Sequence, residues 1–209
     1  MQTYLIFGLG FFAQALFAAR MIVQWIQSER AGRVISPTFF WQTSLVASFL
    51  LLLYGILRGD VVIFAGQLTS YGIYIRNLQL KDAWRRIPLP FRVLVVAMPV
   101  VLAVWLLLAG HDYGTLLLTQ SDFLHPLMIA GAIGQGFLSF RFIYQWYFSE
   151  KARASVFPLG FWGISLVGAW LVLIYAIYRV DPVLLLAQAL GVVIYTRNIM
   201  LGKNATSDS

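Results

Sequence analysis

Displaced by 121 positions, this chain falls onto itself. Residues 10–80 align with residues 131–201 without a gap, and 28 of the 71 pairs are identical. Apolar helices match one another by chance at Leu, Val and Ala. Here the matches sit at polar and tryptophan positions, among them Gln14/Gln135, Trp25/Trp146, Ser28/Ser149, Glu29/Glu150 and Ser44/Ser165. Duplication accounts for this better than composition does. A duplicated membrane unit predicts a site formed at a pseudo-twofold interface.

That the unit is a membrane unit follows from what the chain lacks. Only 11% of its residues are charged and its mean hydropathy is +0.80. A soluble domain carries about 25% charged residues. There is no cysteine, which excludes disulfides, thiolate metal sites and cysteine nucleophiles. Two histidines, His111 and His125, make a weak case for a metal. The start, Met1-Gln2-Thr3-Tyr4, has no basic segment, and no small-x-small site follows, so the first apolar run reads as a retained span. A net charge of +7 points to membrane orientation and anionic headgroups, not to nucleic acid.

A helix needs roughly 20 mostly apolar residues to cross a bilayer. The sequence predicts seven such segments, at 3–27, 37–57, 61–80, 91–110, 122–148, 158–178 and 182–201. Pro37 and Pro158 open spans, where a missing N–H costs little. The tail from Lys203 is polar and expected to fray. Arg30, Arg33, Lys81, Arg85, Arg86, Arg92, Lys151, Arg153 and Lys203 fall on one side of the alternating loops. Arg58, Asp60, His111, Asp112, Asp122, Arg179 and Asp181 fall on the other. Lys and Arg mark the cytoplasmic side, so the amino terminus is predicted outside and the carboxy terminus inside a bacterial inner membrane.

The predicted fold class is an all-α integral membrane protein with seven transmembrane helices in 3+1+3 parallel repeats. Residues 1–80 form the first three-helix repeat and 122–201 the second. Residues 81–121 form a basic linker and a connector helix bent at Pro99, and 202–209 a polar tail.

The motif Gln24-Trp25-x-x-Ser28-Glu29, followed by Pro37-x-x-Phe40-Trp41-x-x-Ser44-Leu45, resembles the lipid-A-disaccharide synthase N-terminal-like domain family. Asp60-x-Val62, Gln67 and Tyr74-x-Arg76-Asn77 extend the likeness. The second copy repeats it as Gln145-Trp146-x-x-Ser149-Glu150, Pro158-x-x-Phe161-Trp162 and Tyr195-x-Arg197-Asn198. The resemblance implies a distant relation to PQ-loop and SWEET transporters, which share the 3+1+3 plan. It also implies a place in lipid-linked sugar pathways, where some family members precede a catalytic glycosyltransferase.

Polar groups inside a bilayer are costly and face the bundle interior. Gln67 and Tyr74 share a helix face with Ser70 and Tyr71, and Asn77 lies close by; Gln188, Tyr195 and Asn198 repeat the stripe. These stripes either line a substrate site or bond helix to helix. Arg20 and Gln24 share a face, as do Arg141 and Gln145. The two arginines either snorkel to the headgroups or form a phosphate-binding pair. Arg76 and Arg197 are expected to anchor at the interface or pair with Glu29 or Glu150. Glu29 and Glu150 otherwise pair with Arg30 or Lys151. Trp41 and Trp162 belong either to an interfacial belt or to a sugar-stacking platform. Asp60 and Asp181 are expected to cap helices.

No Ser/His/Asp set, phosphate-cradling glycine loop or buried carboxylate pair appears, so the sequence points away from an enzyme. It implies no cofactor and no metal. The leading sequence reading is a transporter or flippase for a lipid-linked, polyprenyl-phosphate sugar. Arg20 and Arg141 would hold phosphate. Gln24, Gln145, Gln67, Gln188, Asn77, Asn198, Tyr74, Tyr195, Trp41 and Trp162 would complete the substrate site. The alternatives are an accessory subunit of a membrane glycosyltransferase, a free-sugar transporter, and a lipid-A-disaccharide synthase-related enzyme. Expected partners are a phospholipid or polyprenyl-phosphate glycolipid and a membrane glycosyltransferase.

Overall fold

The computed structural model describes residues 2–58, 61–108, 126–180 and 182–207. Among these residues every regular element is helical. In chain order the helices are α1 (Gln2–Ala31), α2 (Thr38–Arg58), α3 (Val61–Leu80), α4 (Leu89–Leu108), α5 (Pro126–Ala152), α6 (Leu159–Arg179) and α7 (Pro182–Ser207). One 3₁₀ turn, Trp84–Arg86, precedes α4. Proline starts these helices: Pro37 precedes α2, Pro158 caps α6, and Pro126 and Pro182 are the first residues of α5 and α7. At a first turn the ring supplies the helical φ, and its missing N–H had no partner to lose.

Among the described residues three helices are long and apolar enough to cross a membrane: Tyr4–Ala31, Leu159–Tyr178 and Leu185–Asn204. Shorter apolar stretches occupy Thr38–Tyr54 and Leu89–Trp105. These helices are compatible with a membrane protein.

Helix boundaries overrun the hydropathy boundaries in three places. α1 continues past residue 27 to Ala31, α5 past 148 to Ala152, and α7 through the polar tail to Ser207. The polar residues Lys203, Asn204 and Thr206 continue α7. A helix needs its backbone ladder, not an apolar sequence, to extend beyond the span.

The chain divides into two compact units. One comprises the described parts of Met1–Arg20 and Thr38–Gln120. Within it α2 packs on α3 and α4, and α3 packs on the 3₁₀ turn. The other comprises Met21–Pro37 and the described parts of Ser121–Ser209. There α6 packs on both α5 and α7.

The first helix of each copy meets the second at matching glycines. A Cβ on Gly10 would come within 2.9 Å of the Tyr54 ring, and one on Gly131 within 2.7 Å of the Tyr175 ring. Further along α5, Gly134 and Gly168 bring two backbones together, and a Cβ on either would lie 2.9 Å from the other's carbonyl oxygen. The first copy has buried Ala13 and Ala47 at the matching positions.

Candidate functional site

Each unit buries an arginine among aromatic rings. Arg20, on α1, is 5% exposed. Its guanidinium carbon lies 4.3 Å from the Phe17 ring centre, 4.7 Å from Phe40 and 5.5 Å from Tyr74. Its Nη1 donates to Ser44 Oγ, which in turn donates to the Phe40 carbonyl. Arg141, on α5, is 8% exposed. It lies 5.0 Å from Phe142, 5.5 Å from Phe161 and 5.4 Å from Tyr195. Its Nη1 donates to the Tyr195 hydroxyl at 2.7 Å. These arginines are not reaching for headgroups. Ring faces carry negative charge density and hold the cation where water does not reach it.

The second unit leaves donors unused. Arg141 has no carboxylate partner among the described residues, and its buried Nε has no acceptor. Neither has the indole Nε1 of Trp162. Trp162 packs tilted at 6.1 Å against Tyr195, the residue that anchors Arg141, so the two unused donors belong to one cluster. Trp41 packs 6.1 Å from Tyr74 in the same way. Both tryptophans are 0% exposed and sit inside their units against Phe40 and Phe161.

The paired glutamines close loops. Gln24 Nε2 donates to Ser28 Oγ at 2.9 Å and to the Ile35 carbonyl at 3.3 Å. Gln145 Nε2 donates to Ser149 Oγ at 2.7 Å and to the Val156 carbonyl at 2.9 Å. Ser28 and Ser149 accept from the backbone N–H of Ile35 and Val156. The clamp is the same in both copies, one helical turn of side chains tying down the loop that follows. Gln24 also donates to Asn198 Oδ1 at 2.9 Å, so the end of α1 is tied to α7 within the second unit. The Asn77 and Asn198 amides each donate to a carbonyl four residues back on their own helix.

Gln67 accepts from Ser48 Oγ at 2.9 Å and is partly exposed, as is Gln188. Ala169 stands where a second Ser48 would be. Glu29 pairs with Arg197, not with Arg30. Arg197 Nη2 donates to Oε2 at 3.0 Å and Nε to Oε1, while Trp25 Nε1 adds a bond at 2.9 Å. Trp146 Nε1 donates to Glu150 at 3.0 Å, repeating the Trp25 bond. Asp60, His111, Asp112, Asp122, His125 and Asp181 lie outside the described residues. Among the described residues no group of three or more acidic or histidine side chains is placed to hold a metal ion.

The cage residues Phe17, Phe40, Phe142, Phe161 and Ser44 were not among the expected site residues. The Phe40/Phe161 and Ser44/Ser165 matches were the signal that could have found two of the rings and the serine.

Both copies match the Lipid A Biosynthesis N-terminal domain family, at residues 9–79 and 130–200. The chain belongs to this family. It is 28% identical over 206 residues to the lipid-A-disaccharide synthase of Chlamydia pneumoniae, covering 95% of the chain and 34% of that protein. It is 30% identical over 204 residues to the synthase of Chlamydia muridarum, covering 90% of the chain and 33% of that protein. The chain therefore spans about a third of the length of the curated relatives it matches. No solved structure matches it. The matched ranges contain Arg20 and its cage in one copy and Arg141 and its cage in the other.

Proposed function

We propose that the chain is a membrane-embedded module that binds a phosphate-bearing glycolipid in lipid A or related envelope-glycan biosynthesis. The carrying observation is Arg141, a buried cation with no carboxylate partner among the described residues, beside a second buried donor without an acceptor. Removing a charge from water costs several kcal/mol unless an opposite charge or good hydrogen bonds offset it. The Tyr195 hydroxyl and the rings of Phe142, Phe161 and Tyr195 offset part of this. A phosphate oxygen would offset the rest, because a guanidinium and an indole N–H are both donors and phosphate only accepts. The family supplies the lipid A context, and the aromatic lining suits a sugar-bearing ligand.

On this reading the seven helices are seven spans in two parallel repeats, with the basic, largely exposed residues Arg30, Arg33, Arg85, Arg86, Lys151 and Arg153 on the cytoplasmic side. The protein carries out no chemistry itself and presents the lipid to a membrane glycosyltransferase. The related synthases support presentation, since they carry this stretch within a chain about three times as long. A second reading, a flippase that moves the lipid across the membrane, is supported by the duplication of the arginine cage.

Native mass spectrometry of the purified chain tests the binding. Wild type should retain a phosphorylated glycolipid through detergent extraction, and Arg141→Ala should lose it. Arg141→Lys should recover little, because an ammonium offers no fork of donors. Equal retention in wild type and Arg141→Ala would overturn the assignment. Lipid-flipping assays in proteoliposomes then separate presentation from transport.

A further inference from the structure

A groove of about 550 Å³ runs along one side of α4, in the first unit, and no residue of either arginine cage lines it. Its floor is a stripe of α4 at helical spacing, Val93, Val96, Val100 and Val101, all exposed. Its wall is Trp84, from the 3₁₀ turn that precedes α4. Its head is Arg92, whose Nε is buried and has no acceptor among the described residues. Ligand sites typically have volumes of about 300–1,000 Å³.

We propose that this groove holds one anionic phospholipid of the bilayer, with its phosphate at Arg92 and one acyl chain along the valine stripe. Length and charge single out this occupant. From Arg92 to Val101 the helix rises about 14 Å, at 1.5 Å per residue. One leaflet of the hydrocarbon core is about 15 Å deep, so an acyl chain that starts at a headgroup beside Arg92 runs the length of the stripe. The headgroup end is basic: Arg85 and Arg86 are exposed in the same turn as Trp84, and Lys81 lies just before it, against the single acid Asp82. An indole at that end is suited to the boundary between headgroups and chains. A second protein helix in the groove would have to answer the same guanidinium with an acid of its own.

The test uses the full chain in nanodiscs of phosphatidylcholine with a minor fraction of phosphatidylglycerol, read by native mass spectrometry after release into detergent. Wild type should retain one phosphatidylglycerol at least tenfold above its share of the bilayer. Arg92→Gln should bring retention to the bilayer ratio, and Ala97→Trp, which fills the groove without altering charge, should abolish it. Arg141→Ala should keep this lipid, which separates the groove from the glycolipid reading. Circular dichroism and monodispersity confirm that each variant is folded. Selective retention unchanged in both groove variants, or equal retention of phosphatidylcholine, would overturn the proposal. So would a dimer cross-linked through cysteines placed at Val96 and Val100, because a second copy would then occupy the groove.

Discussion

Arg20 and Arg141 occupy matching positions in the two copies, yet different side chains fix them. Arg20 donates to Ser44, and Arg141 donates to Tyr195. The matching serine in the second copy, Ser165, donates to the Phe161 carbonyl at 2.6 Å, as Ser44 does to that of Phe40, but does not accept from Arg141. One ring of each cage also moves. Phe17 lies one turn before Arg20, whereas Phe142 directly follows Arg141. The Phe and Tyr that complete each cage are the matched pairs Phe40/Phe161 and Tyr74/Tyr195. The lesson is that duplication preserved a buried cation on two matched rings, while the bond from Arg20 to Ser44 is not repeated at Ser165. Each copy must hold the guanidinium; in the second, the unused indole donor of Trp162 belongs to the same cluster.

The largest effect is expected from removing the cations. Arg141→Ala should weaken glycolipid binding by about tenfold to a hundredfold, since a charge-assisted hydrogen bond is worth about 1.5–3 kcal/mol. Arg20→Ala should impair function too, by a smaller factor. Binding measured on both single variants checks the order, and equal losses would make the two cages equivalent parts of the machinery.

Next comes the packing that places the second cage. Gly134→Ala puts a methyl group 2.9 Å from the Gly168 carbonyl oxygen, which is backbone and cannot rotate away. Overpacking of this kind costs about 1–3 kcal/mol. At the matching position of the first copy, Ala13→Gly should cost about 1 kcal/mol or less, from helix propensity and a lost methyl contact. Thermal unfolding in detergent should therefore rank Gly134→Ala below Ala13→Gly. The reverse order would mean that α5 and α6 do not approach as closely as Gly134 and Gly168 require.

The anchors should separate the copies more gently. Tyr195→Phe keeps the ring over Arg141 and removes its hydrogen bond, at a cost of about 1.5 kcal/mol or somewhat more. Ser44→Ala should do the same to Arg20. Ser165→Ala should leave Arg141 untouched, because Ser165 shares with Ser44 the bond to a carbonyl four residues back but not the bond to the arginine. Ligand binding that drops with Ser165→Ala as much as with Tyr195→Phe would break the distinction drawn between the cages.

How far these features were legible in the sequence depends on the physics behind each. α2, α3 and α6 fall within a residue or so of the expected segments because proline or a turn bounds them. α1, α5 and α7 run on because hydropathy reports the apolar part of a helix and not its last polar turns. The burial of Trp41 and Trp162 was illegible for a different reason. In a membrane protein both the lipid-facing surface and the core are apolar, so hydrophobicity does not separate inside from outside. The Gln24/Ser28 and Gln145/Ser149 pairs were visible as i, i+4 neighbours, but the loop carbonyls they hold became visible only with the chain folded. The Glu29–Arg197 pair was one of the expected alternatives, whereas the Gln24–Asn198 pair joins residues far apart in sequence, which no local pattern encodes.

The smallest expected effect lies in the loops that follow the first helix of each copy. Gly32 and Arg153 are matched, and both take left-handed backbone conformations, with φ of 64° and 49°. Glycine adopts that region freely; a residue with a Cβ pays about 1–2 kcal/mol there. Arg153→Gly should relieve that strain, but a glycine also gains conformational freedom in the unfolded chain, worth about 0.4–1 kcal/mol the other way. The net should be stabilisation of less than about 1 kcal/mol, seen as a small rise in unfolding temperature. Gly32→Ala should lower it, since the strain and the geometry then act without the relief. Because Arg153 is exposed, its removal breaks no buried contact and isolates the backbone term. A fall in stability for Arg153→Gly would mean that the guanidinium holds the second loop through its charge, and that the two loops, alike in backbone, are kept in place by different forces.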